Sequence, residues 1–162
     1  MVIWIIGKSG AGKSFYAKKL LNKLKGKKIL IDGDEIRKFA FLNKLGFSKK
    51  DRKLNAQFIV RLCSFLERKG FKVICSILSI FPEMQKKNRK IFQNYYQIYL
   101  KANPQKLISR NNKGIYSKNK NIVGIDIKFP TPYKSDLIFN NYFDLKYKSN
   151  IIKIIKLLKH KD

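Results

Sequence analysis

Eight consecutive residues, Gly7-Lys8-Ser9-Gly10-Ala11-Gly12-Lys13-Ser14, constrain this chain more than any other stretch. Two glycines flank four residues and are followed by Lys and Ser, the spacing of a phosphate-binding loop. The glycines let the backbone wrap so that successive N–H groups point at phosphate oxygens. Lys13 can reach β- and γ-phosphates as a point charge, and the Ser14 hydroxyl can ligate Mg²⁺. Such a loop needs a strand before it and a helix after it. Val2–Ile6 is a continuous apolar run of the buried-strand kind, and Phe15, Ala17, Leu20, Leu21 and Leu24 recur at helical spacing. A helix starting near Lys13 would add its N-terminal dipole to the anion site.

Downstream the pattern alternates. Lys27–Ile31 reads as a second strand and ends in Asp32-Gly33-Asp34, paired carboxylates at the strand's C-terminal end, where open α/β sheets bind ligands. One acid can serve a Mg²⁺ site, and the other can take the proton from an attacking hydroxyl. Asp34-Glu35-Ile36-Arg37 also fits a helix N-terminus capped by Asp34, and the two roles are compatible. Ser48 caps a helix running through Ile59, Leu62, Cys63 and Leu66 to Gly70, and Lys72–Leu78 is a strand too apolar for an edge. Tyr96–Leu100 is a strand, Gln105–Arg110 a helix, Asp136–Asn140 a last strand, and a basic amphipathic helix closes the chain at about 149–160. The alternation specifies an α/β fold, a parallel central sheet covered on both faces. Residues 110–128 break it with a polar, basic, glycine-containing stretch that suits a lid over the loop, supplying cations and excluding water.

The 162 residues predict one domain spanning 1–162, and 44% hydrophobic content excludes a disordered chain. No apolar run approaches the ~20 residues of a membrane span. The first strand begins at once, which leaves no room for a signal peptide and points to the cytoplasm. Cys63 and Cys75 lie in apolar runs and read as reduced core residues. The net charge of +27 is spread over the chain as lysines, without an arginine-rich block, so it predicts attraction of anionic nucleotides rather than nucleic-acid binding. Six arginines, Arg37, Arg52, Arg61, Arg68, Arg89 and Arg110, stand out in a chain so rich in lysine, as candidates for planar, bidentate anion contacts.

In order, the phosphate loop, Ile31-Asp32-Gly33-Asp34-Glu35-Ile36-Arg37, Gly46-Phe47-Ser48, Asp51-Arg52, Asn55, Ser79, Lys113-Gly114-Ile115-Tyr116 and Gly124-Ile125-Asp126 resemble the adenylylsulfate kinases. That family passes the γ-phosphoryl of ATP to the 3′-hydroxyl of adenosine 5′-phosphosulfate, in sulfate assimilation, and the resemblance covers the chain to about Asn141. It implies a three-layer P-loop sandwich with ATP and Mg²⁺ as cofactors. Gly7 to Ser14, with Arg110 as a lid cation, would hold ATP, and Ser14 and Asp32 would serve the metal. Asp34 would be the base, assisted by Asp32 and Lys13. Arg37, Arg52 and Asn55 would hold the acceptor's anionic group and Phe47 would stack on its base, with Ser79, Lys113 and Ile125 completing the acceptor site. The expected partner is a small nucleotide acceptor, with no membrane, and a homodimer is one expected assembly.

The departures from the family pattern cluster on the acceptor side. Gln57 and Phe58 stand where two arginines are usual, the Ser-Pro-Tyr turn reads Ser79-Ile80-Phe81, Asn111 replaces the Asp after Arg110, and Ile122-Val123 replaces Phe-Thr. Losing the second aromatic of the base sandwich removes ~1–3 kcal/mol of stacking. The scaffold also resembles a kinase of cytidine diphosphoramidate from capsule biosynthesis, whose smaller base asks less of the wall at Ile122. Adenosine phosphosulfate is the first expectation and the cytidine compound the alternative. A basic NTP-binding or RNA-associated module without turnover is the third, opposed by the paired carboxylates facing the loop.

Overall fold

A computed structural model describes residues 1–39, 44–110 and 121–159. Its elements in chain order are β1 (Val2–Ile6), α1 (Lys13–Lys23), β2 (Lys28–Asp32), α2 (Gly33–Ile36), α3 (Lys49–Arg68), β3 (Lys72–Ile77), α4 (Pro82–Ile91), β4 (Tyr95–Lys101), α5 (Pro104–Arg110), β5 (Leu137–Asn140) and α6 (Tyr147–Lys159). The strands form one sheet in the order β2-β3-β1-β4-β5, and every pairing is parallel. β1 is central, with Val2 opposite Val73 on one side and Tyr95 on the other. All five of its residues are buried, because helical crossovers cover both faces of a parallel sheet.

The two-residue period of the strand divides the core. Val2, Trp4 and Ile6 face a cluster built with Ala56, Ile59, Val60 and Cys63 of α3. Ile3 and Ile5 face Tyr16, Ala17 and Leu20 of α1 with Ile151, Ile154 and Leu158 of α6. This is the expected three-layer sandwich. Helix α1 starts at Lys13 as expected, and other predicted element ends moved by one or two residues: β2 extends through Asp32 and α6 begins at Tyr147.

Chain order reverses direction at β1, whose neighbours are β3 and β4. Ligands bind at such a switch point, beyond the carboxyl ends of the strands. The phosphate loop leaves β1 there, and Asp32 ends β2 on the same edge.

Candidate active site

The loop is held open by backbone geometry. Gly12 precedes α1 with φ of 88°, and a Cβ there would lie 2.7 Å from the Asn141 amide nitrogen. A Cβ on Gly7 would stand 2.5 Å from the Leu100 carbonyl oxygen. Side chains at these two positions would displace the loop from its neighbours. The N-cap of α1 is Gly12, which makes no side-chain cap bond, and a helix N-terminus placed there favours an anion. Inside the loop the Lys8 carbonyl accepts from Lys13 Nζ at 2.9 Å and from the Ala11 N–H at 3.2 Å. From outside, Asn141 Nδ2 donates to the Ala11 carbonyl at 2.9 Å, while Asn141 Oδ1 accepts from the Phe143 N–H.

Beside the loop lies a cavity of about 580 Å³, lined by Ser9, Lys13 and Ser14 of the loop, by Asp32, Gly33 and Asp34, and by Arg37, Phe47 and Arg52 among others. Ser14 Oγ donates to Asp32 Oδ2 at 2.5 Å, and Ser76 Oγ lies 3.3 Å from the same hydroxyl. The other carboxylate oxygen, Asp32 Oδ1, accepts from the Asp34 N–H at 2.9 Å and caps α2. The helix expected to be capped by Asp34 is thus capped by Asp32, and Asp34 is itself among the residues that line the cavity.

Arg37 and Arg52 both rest on the Phe47 ring, at 5.1 and 5.3 Å from its centroid. Arg37 Nη1 donates to the Gly46 carbonyl at 2.8 Å, and Arg52 donates to the carbonyls of Phe47 and Asn121. The three residues sit there because α3 starts at Ser48, whose hydroxyl accepts from the Asp51 N–H and donates to its carboxylate. Burial lowers the pKa of both guanidiniums, and for Arg52 the neighbouring Arg37 adds to the effect, with Asp34 pulling both back up. Asn55 on the same wall is 4% exposed, and its Oδ1 has no hydrogen-bond partner among the described residues.

Not every expected residue joins this cavity. Ser79 is buried and accepts from Gln85 Nε2 at 3.1 Å, so it turns toward α4 and away from the cavity lining. Ile125 is 56% exposed, also off the lining. Arg110 stacks 4.2 Å over the Phe143 ring, in a segment tied to the loop through Asn141. Lys113 lies outside the described residues, as does the rest of 111–120. The described part of the expected lid is anchored: Ile122 and Val123 are buried, and Asp126 Oδ2 accepts from the Ile122 N–H. Its Gly124 approaches Lys8 so closely that a Cβ would lie 3.3 Å from the lysine stem. Ser76, Asn141, Lys38 and Leu78 were absent from the sequence expectations. For Ser76 a signal existed, since it lies near the carboxyl end of a strand, on the same sheet edge as Asp32.

A Ser14 hydroxyl and an Asp32 carboxylate form an all-oxygen set, which suits a hard cation such as Mg²⁺ that takes one or two protein ligands and completes its shell with phosphate and water. Among the described residues there is no cluster of three or more His, Cys, Asp or Glu, and no helix is long and apolar enough to cross a membrane.

The adenylylsulphate kinase family model matches residues 1–140. The cytidine diphosphoramidate kinase of Campylobacter jejuni is 36% identical over 97% of this chain and 95% of that protein. A probable adenylyl-sulfate kinase of Pyrococcus abyssi is 37% identical over 72% of the chain and 68% of its own length. Among solved structures, the Mycobacterium tuberculosis APS kinase in complex with AMPPNP and APS has a TM-score of 0.84 at 27% identity, over 98% of this chain and 96% of that one. A shikimate kinase from Bacteroides thetaiotaomicron, at 17% identity and a TM-score of 0.64, shares the fold alone. With the phosphate loop, the paired carboxylates and the paired arginines in one cavity, and with a family match across most of its length, this chain belongs to the adenylylsulfate kinase family of P-loop kinases.

Proposed function

We propose that this protein transfers the γ-phosphoryl group of ATP to the 3′-hydroxyl of a nucleotide whose 5′ end carries a second anionic group. The observation that carries this reading is that a single cavity is lined by Lys13 and Ser14 of the phosphate loop, by Asp32 and Asp34, and by the Arg37–Arg52 pair. The acceptor hydroxyl gives its proton to the Asp34 carboxylate as its oxygen bonds to the γ-phosphorus, and the bond from that phosphorus to the ADP oxygen breaks. Lys13 and the loop N–H groups stabilise the charge that gathers on the transferring group. Arg37 and Arg52 hold the acceptor's anionic end, and Phe47 offers its base a stacking face. Ser14 and Asp32 would hold Mg²⁺, which when bound neutralises charge on the β- and γ-phosphates.

For the acceptor we favour cytidine diphosphoramidate, with adenosine 5′-phosphosulfate second, which reverses the order expected from the sequence. The Campylobacter jejuni relative is 36% identical over 97% of this chain, against 31% over 96% for the adenylyl-sulfate kinase of Clostridium acetobutylicum. The wall around Ile122, Ile77 and Leu78 is aliphatic, which suits a small pyrimidine. Adenosine phosphosulfate keeps the support of the family match, of the adenylyl-sulfate kinase of Clostridium acetobutylicum and of a probable adenylyl-sulfate kinase of Archaeoglobus fulgidus.

An ATP-consumption assay with the two acceptors side by side tests the choice. Phosphorylation of the cytidine compound at the higher kcat/KM supports the first reading, and the opposite preference establishes the second. Ile122→Phe sharpens it. A second stacking face should tighten an adenine acceptor by roughly 1 kcal/mol, whereas in a pocket shaped for a pyrimidine it should raise the acceptor KM and leave ATP kinetics unchanged. Asp34→Asn should lower kcat by about 10²–10⁴-fold while ADP affinity holds. An equal loss of ADP affinity would make Asp34 a residue of the phosphate end instead.

A further inference from the structure

Ser76 is 2% exposed, lies near the carboxyl end of β3 and pairs in register with Asp32 of β2 on one side and Ile5 of β1 on the other. Its hydroxyl lies on the cavity lining, 3.3 Å from Ser14 Oγ. The direction of that contact follows from proton counting. Ser14 has one proton and two lone pairs, and Asp32 Oδ2 at 2.5 Å is a carboxylate oxygen that only accepts. The Ser14 proton therefore points at Asp32, and the bond to Ser76 is made with Ser76 as donor and a Ser14 lone pair as acceptor. Two of the three directions around the Ser14 oxygen are taken by the protein.

We propose that Ser76 is a positioning residue that occupies one lone pair of the Ser14 hydroxyl, whose proton Asp32 holds, leaving a single lone pair for a hard cation. This rests on the kinase reading of the same site and adds a residue to it. The Asp32 contact alone would fix the Ser14 proton but leave both lone pairs open, and the Ser76 contact alone would let the hydroxyl turn about its Cβ–Oγ bond and point its proton toward the phosphates. With both made, the oxygen presents an acceptor and no proton to the place where a cation bound with the nucleotide would sit. Ser76 also stands where a side chain on β3 reaches the loop, while the carboxylate comes from β2. The two strands thus divide the task of orienting one hydroxyl.

The test uses ADP as probe, with binding measured calorimetrically in the absence and presence of Mg²⁺ for the wild type, Ser76→Ala, Ser14→Ala and the double variant. Ser76→Ala removes one oxygen from a packed strand, and its melting temperature without ligand reports whether the fold is kept. The expected result is that Ser76→Ala leaves metal-free ADP affinity unchanged. The Mg²⁺-dependent gain in affinity should shrink by roughly three- to tenfold, the range that one hydrogen bond supplies. In the Ser14→Ala background the same substitution should have no further effect, because Ser76 acts through Ser14. An equal weakening with and without Mg²⁺ would make Ser76 a packing residue and overturn the proposal, and so would additive losses in the double variant. Failure of the wild type to bind ADP under either condition would instead remove the kinase reading itself, so the two failures are separable.

Discussion

Asn55 shows how a single residue can be costly to the empty protein and useful to the occupied one. Its amide oxygen is buried without a partner among the described residues, and an unmet buried acceptor costs about 1–3 kcal/mol. A ligand donor in the cavity would recover that cost. Asn55→Ala should therefore leave the ligand-free melting temperature unchanged or raised while weakening the acceptor by roughly tenfold, one hydrogen bond's worth. A clear fall in ligand-free stability would show that the oxygen is satisfied in solution and serves the fold. Arg52 belongs to the same wall. It is pushed below its ordinary pKa by burial and by Arg37, although it stays charged at neutral pH, and an anion beside the pair relieves that repulsion. Arg52→Ala should raise the KM of both acceptors and leave ADP affinity in place. Because Arg52 also donates to the Asn121 and Phe47 carbonyls, the substitution should cost some stability as well. Parallel losses for ADP would place Arg52 on the donor side.

At the scale of elements, the phosphate loop is a clasp between β1 and α1 that β5 closes from outside. Asn141, directly after β5, binds the Ala11 carbonyl and sits against Gly12. Gly12→Ala would need a left-handed backbone with a side chain, costing about 1–3 kcal/mol, and would collide with the Asn141 amide. Lost ADP binding together with a lowered melting temperature is expected. Retention of both would mean that the loop can rearrange around a Cβ. Lys13→Ala, which leaves the backbone alone, should abolish turnover with little change in melting temperature. The loop itself could be read from eight residues, but its clasp could not, since Asn141 lies far along the chain with no local signature. Ser79 is the opposite case: the family resemblance implied a substrate-pocket serine, and in the fold its hydroxyl accepts from Gln85 of α4.

The whole molecule is a sheet with two cores, and the two cysteines report on one of them. Cys63 on α3 and Cys75 on β3 are free and fully buried in the same cluster, and burial together with Cys63 raises the Cys75 pKa well above its usual value. Because both are fully buried, the two thiols should be unreactive toward an alkylating reagent in the native protein and react together on unfolding. Rapid modification of either in native buffer would contradict the packing of α3 on the sheet. That α3 and β3 pack together was foreseeable from their apolar faces. That they pack over Val2, Trp4 and Ile6 was not, because alternation along a strand marks two faces without saying which helix covers which.

The amino-acid sequence by itself determined the alternating strands and helices, the parallel pairing that helical crossovers require, the phosphate loop and the carboxylates after β2. These are consequences of hydrophobic period, glycine spacing and capping, interactions that span a few residues each. Tertiary structure decided the rest. The order β2-β3-β1-β4-β5 brings Asp32 beside Ser76 and both to Ser14. It also sets Arg37 and Arg52 on one ring and Asn141 under the loop. The physical reason is that strand order follows from burying both sheet faces at once, a condition on the whole chain that no short stretch carries.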